Sequence, residues 1–120
     1  MVKKYKKGAR AERDLAKLLK KGSFSVIRAA GSGGSISVPD LIAIKKGRIL
    51  AFECKAWKTV PRLKEREYKN FLDWCKGGGA IGFLAWKNKQ WLFLNIKDLK
   101  KTNIKKDGIS LNDLMFVVNV

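Results

Sequence analysis

Two short stretches hold the residues best suited to chemistry. They are Pro39-Asp40 and, after twelve further residues, Glu53-Cys54-Lys55. Strand alternation puts Glu53 and Lys55 on one face and turns Phe52 and Cys54 to the other. A tight turn at Lys46-Gly47 would fold residues 39–57 into a hairpin that sets Ile44 opposite Ile49, Ile42 opposite Ala51, and Asp40 opposite Glu53. Two facing carboxylates, with Cβ atoms about 5 Å apart, repel each other unless a cation lies between them. Mg²⁺ suits such a place, because it takes one or two carboxylates and completes its shell with water and substrate phosphate. The backbone carbonyl of Cys54 could add a further oxygen. Lys55 lies one ladder step away, where it could hold an attacking water or offset charge on a phosphorane-like transition state.

Composition narrows the chemistry further. The chain has 120 residues and no histidine, which excludes Ser-His-Asp and Cys-His catalysis and every imidazole metal site. Its two cysteines, Cys54 and Cys75, cannot build a zinc finger or a disulfide framework and read as reduced core residues of an intracellular, cytoplasmic protein. Neither a membrane-length apolar run nor an apolar signal core is evident. Lys and Arg outnumber Asp and Glu by 27 to 10, a formal charge of +17. That balance implies a polyanionic partner such as nucleic acid. Hydrophobic residues at 46% are enough for one packed domain over 1–120.

The elements that must position these residues follow from periodicity. Residues 1–7 read as a basic arm. Gly8 to Lys21 reads as a helix with Ala11, Leu15, Leu18 and Leu19 inward, Arg10, Arg13, Lys17, Lys20 and Lys21 outward, and Gly22 at its C-cap. Glu12 lies at the edge of the apolar stripe, so it can face the sheet. Phe24–Ala29 is a strand with Phe24, Val26 and Arg28 on one face, and Gly31–Ser35 is a mobile loop. Pro61–Lys76 is a second helix, buried along Tyr68, Phe71, Leu72 and Cys75 and stopped by Gly77-Gly78-Gly79. A second hairpin over 80–96, turning at Asn88-Lys89, would set Trp86 opposite Trp91. Residues 97–107 read as a solvated lysine-rich loop, and Ser110 with Asp113 as a cap for a short last helix, although Met115–Val120 could instead be a strand. The expected fold is α/β, a mixed central sheet flanked by helices.

Three stretches, KGARAERDLAKLLKKGSFSVIRAAGS, PDLIAI and AFECKAWK, together resemble the archaeal Holliday junction resolvase (Hjc) family of the PD-(D/E)xK nuclease superfamily. The resemblance spans residues 7–58. It implies a restriction-endonuclease-like fold and a Mg²⁺-dependent nuclease, with Mn²⁺ as a possible substitute and no organic cofactor. Such a nuclease works as a homodimer that nicks four-way DNA junctions symmetrically in recombination and repair. By position, Asp40 and Glu53 match the family's metal-binding carboxylates, Lys55 the catalytic lysine and Glu12 the first-helix acid beside the metal. Arg13 and Arg28 match arginines that contact DNA. Ser32 matches the serine of the glycine-rich loop, with Ser35 the alternative. From the residues alone, Arg28 at the end of an apolar strand suits a bidentate phosphate clamp. Two other readings stand beside this one: another PD-(D/E)xK nuclease of restriction or repair type, and a non-catalytic nucleic-acid-binding protein. The dimer could use the tryptophan-bearing hairpin or Met115–Val120.

Overall fold

A computed structural model describes residues 2–29 and 37–118. Helix α1 (Val2–Lys21) leads into β1 (Ser25–Arg28), β2 (Leu41–Lys45) and β3 (Arg48–Lys55), and α2 (Glu65–Gly78) crosses to β4 (Ile81–Lys87). Next come β5 (Trp91–Asn95), a 3₁₀ turn (Ile96–Asp98), α3 (Ile104–Asp107), β6 (Ile109–Ser110) and α4 (Leu111–Val118). The six strands form one sheet in chain order. Only β3 and β4 run parallel, and α2 is the crossover between them. This is the expected mixed sheet flanked by helices.

Parity along the strands assigns every side chain to a layer. On one face, Leu41, Ala43, Leu50, Phe52, Phe83, Ala85, Trp91 and Phe93 pack under Ala11, Leu15, Ala16 and Leu19 of α1 and Leu114 and Val118 of α4. On the other face, Phe71 and Cys75 of α2 cover Ala51, and Ile104 covers Leu84, Trp86 and Leu94. The seat of α2 is tight. A Cβ on Gly82 would lie 2.7 Å from both Cys75 Sγ and Phe71 Cε2, so only glycine lets the helix approach β4 this closely.

Several boundaries differ from the expectation, each for a local reason. α1 runs back through residues 2–7, the stretch read as a separate basic arm. Its left-handed terminal residue is Ser23 (φ 72°) rather than Gly22, whose missing side chain instead leaves room for Met115. α2 starts at Glu65, four residues after the fully buried Pro61. Glu67 Oε1 accepts the Lys64 N–H at 3.1 Å and so caps the helix. Gly79, at φ 69°, ends it. The 97–107 stretch is more than a solvated loop, for it holds α3 with Ile104 completely buried.

The second hairpin is a correction. Lys87 pairs with Trp91 and Trp86 with Leu92, because the turn holds three residues rather than two. One extra residue reverses the parity of everything beyond it. Trp86 and Trp91 therefore lie on opposite faces, each 5% exposed, and neither offers a dimer surface. The first hairpin turns in two residues with Lys46 and Gly47 at φ 49° and 83°, and its predicted register holds. The last described residues form helix α4, which ends at Val118, with Ser110 Oγ accepting the Asp113 N–H; residues 119–120 of the stretch alternatively read as a strand lie outside the described residues.

Candidate active site

Three strand ends meet at one end of the sheet: the end of β1, the start of β2 and the end of β3. Arg28 pairs with Leu41, and Leu41 with Phe52. The ladder opens just beyond these pairs. Asp40 N donates to Phe52 O at 3.0 Å, and Asp40 Oδ2 accepts the Cys54 N–H at 2.8 Å. The carboxylate thus occupies the place a strand carbonyl would take. It is held rigidly beside Glu53, its expected cross-strand neighbour. A strand residue directs its N–H and C=O to the same edge, so the Cys54 carbonyl also faces the Asp40 side.

Glu12 arrives from the other layer. It sits on α1 at the edge of the buried stripe and accepts from Arg28 Nε at 3.2 Å, tying α1 to the end of β1. Lys55, with a side chain only 16% exposed, points to the α2 side. Its Nζ lies 3.5 Å from Glu67 Oε2 and 5.0 Å from the centre of the Trp57 ring. An open groove of about 1090 Å³ is lined by Glu12, Asp40, Glu53, Lys55 and Glu67, with Trp74 farther along α2.

The electrostatics are those of crowded acids in partial burial. Glu53 is pushed up to about 8, first by desolvation and then by Asp40. Desolvation also raises Asp40, against the opposing hydrogen bond from Cys54, and raises Glu12. Each acid makes ionisation of the others harder, so the cluster has unmet demand for positive charge. Among the described residues no three acid or thiol groups converge tightly enough to enclose a metal on their own. The donor set still fits a hard cation that keeps water and phosphate in its shell: two facing carboxylates, a backbone carbonyl and no soft ligand.

The structure therefore brings Glu12, Arg28, Asp40, Glu53, Cys54 and Lys55 together. Arg13 is exposed on the solvent side of α1, near enough to act on the Glu12 charge. Ser32 and Ser35 lie outside the described residues. Glu67 is the residue that sequence reasoning misses. Its capping contact is made to a lysine backbone rather than to a Ser or Asp cap, so no motif marks it.

Comparison with known proteins places this geometry in context. The family model described as archaeal Holliday junction resolvase (Hjc) matches residues 3–119. The chain is 42% identical over 94 residues to crossover junction endodeoxyribonuclease Hjc of Methanocaldococcus jannaschii, covering 77% of this chain and 68% of that one. It is 38% identical over 107 residues to the Hjc of Archaeoglobus fulgidus, covering 84% and 79%. The solved structure of the Archaeoglobus fulgidus Hjc, a Holliday junction resolvase, superimposes with a TM-score of 0.79 at 30% identity, over 90% of this chain and 99% of that one.

Proposed function

The chain belongs to the archaeal Holliday junction resolvase family, and we propose that it is a divalent-metal-dependent endonuclease that binds four-way DNA junctions and resolves them by paired, symmetric nicks during recombination and repair. The observation that carries this reading is the Asp40 carboxylate locked onto the Cys54 N–H at the open end of the sheet. That bond sets it among Glu53, Lys55 and Glu12, beside an open groove.

Asp40, Glu53 and the Cys54 carbonyl would hold the cation, Mg²⁺ or in its place Mn²⁺, with Glu12 completing the acid cluster. When bound, the cation supplies Lewis-acid activation of the scissile phosphate. Lys55, confined between Glu67 and Trp57, orients the attacking water or offsets negative charge as the phosphate is attacked. Arg28 and the exposed Arg13 engage neighbouring phosphates, and Ser32 or Ser35 donates to the same backbone. The remaining positive charge steers DNA to the protein without selecting its sequence.

A homodimer fits both the substrate and an uncovered surface. A four-way junction has near-two-fold symmetry that an isologous pair matches. Ile27, Ile42, Ile44 and Ile49 share one face of β1–β3 by register, beside the part of that face that α2 covers. None of them belongs to a buried cluster, and Ile27 is 57% exposed. One exposed and three half-buried isoleucines grouped on a sheet face suit burial against a second copy. Phe116 and Val117 of α4 offer a second exposed apolar patch.

The test is a strand-labelled four-way junction compared with linear duplex of the same sequence, each with Mg²⁺ and with a chelator. Nicks at matching positions in two junction strands of like polarity, absent with chelator and scarce on duplex, are expected. Equal cutting of duplex would favour a generic nuclease. Binding without any cutting would favour a non-catalytic DNA-binding protein.

A further inference from the structure

The reading of Lys55 as a catalytic group leaves open what holds it. Its side chain is largely buried, and a four-carbon stem has many rotamers to choose from. Two contacts restrict it: the face of the Trp57 ring at 5.0 Å and Glu67 Oε2 at 3.5 Å. Trp57 is itself anchored, because Trp86 Nε1 donates to its carbonyl at 2.7 Å. Glu67 is anchored too, because its second oxygen accepts the Lys64 N–H at the start of α2. One carboxylate therefore does two things at once, capping α2 with Oε1 and holding Lys55 with Oε2. The start of α2 is in turn fixed by the buried Pro61 and by the packing of Phe71 and Cys75 on Ala51.

We propose, on the strength of the reading of this site as a nuclease centre, that Glu67 is a positioning residue of the reaction, presenting the Lys55 ammonium to the scissile phosphate. Glu67 does not touch substrate. Its ion pair is about 40% exposed on the Glu67 side, so it adds little to stability. Its importance is geometric: an ammonium misplaced by an ångström loses most of its effect on a transition state.

The experiment separates the two oxygens. Glu67→Gln keeps an oxygen to accept the Lys64 N–H but loses the ion pair, whereas Glu67→Ala loses both. Single-turnover nicking of a four-way junction is measured at saturating protein with Mg²⁺, beside junction affinity and the thermal midpoint. Glu67→Gln should slow nicking about 10-fold, with the midpoint unchanged and affinity equal or slightly higher. In a Lys55→Ala background, Glu67→Gln should have no further effect on the residual rate, since the two act through one group. Glu67→Ala should show the same rate loss together with a lowered midpoint. A Glu67→Gln rate equal to wild type, or a slowing that persists undiminished in Lys55→Ala, would overturn the proposal while leaving the nuclease reading intact. Failure of the wild type to nick the junction would overturn both.

Discussion

Glu53 is held where its charge is unwelcome, and this makes a quantitative prediction for the metal-free protein. Burial and the facing Asp40 push its carboxyl from an ordinary 4.5 up to about 8. A raised folded-state value means that folding favours the protonated acid. The contribution to stability is fully present below pH 4.5 and is lost progressively as pH rises toward 8. At about 1.4 kcal/mol per tenfold change in proton affinity, and shared with Asp40, the loss by pH 8 is on the order of 2–4 kcal/mol. For a domain of this size that is a fall in thermal midpoint of roughly 10 °C. Glu53→Gln removes its own titration and relieves that of Asp40. Its midpoint minus that of wild type, measured by calorimetry in chelator, should therefore grow by roughly 10 °C between pH 5 and pH 8. Any fixed cost of the amide cancels in that comparison. Histidine and thiols stay out of the window, since the chain has no histidine and the Cys75 thiol is pushed to about 11 while burial raises Cys54 as well; the raised Asp40 and Glu12 carboxyls share it with Glu53. Mg²⁺ should restore the wild-type midpoint at pH 8 and leave Glu53→Gln nearly unmoved. A difference that stays constant from pH 5 to pH 8 would refute the view of Glu53 as a desolvated acid awaiting a cation.

Other outcomes follow from the same geometry. Gly82→Ala should destabilise the protein by about 1–3 kcal/mol in denaturant titration, because the new methyl meets Cys75 and Phe71 at 2.7 Å; a neutral result would mean that α2 is less tightly seated than its packing indicates. Junction affinity should fall steeply with salt, log K dropping about 0.9 per phosphate neutralised for each unit of log salt, while the junction-to-duplex affinity ratio survives at physiological salt; a ratio of one there would point to a generic basic binder. Ser32→Ala should slow single-turnover nicking about 10–100-fold with junction affinity unchanged, with Ser35→Ala as its comparison; two wild-type rates would remove the loop serine from the mechanism.

The centre of the site was legible because strand chemistry is strict. Alternation put Glu53 and Lys55 on one face, and a two-residue turn made the pairing of Asp40 with Glu53 a matter of counting. The edge position of Glu12 could be read in the same way from its place on the apolar stripe of α1. The failures lie where counting depends on something local. A third residue in the β4–β5 turn sent Trp86 and Trp91 to opposite faces. Residues 97–107 looked solvated because lysines hide the single buried Ile104 that pins α3 to the sheet. Glu67 was invisible because Lys55 meets it only after α2 packs on the sheet, and its local contact, to the Lys64 N–H, follows no Ser, Thr, Asp or Asn cap.

The most direct test of the account is Asp40→Asn. The amide oxygen can still accept the Cys54 N–H, so the end of the sheet should keep its shape while a charge of the proposed cation site is lost. Nicking and binding of a four-way junction are measured on the same preparation, in Mg²⁺ for the first and in both Mg²⁺ and chelator for the second. The nicking rate should fall by roughly 10³-fold or more. Junction affinity should equal that of wild type or be slightly tighter, since a negative charge near phosphate is gone. Nicking at the wild-type rate, or loss of junction binding by a variant that remains folded, would contradict this reading of the site.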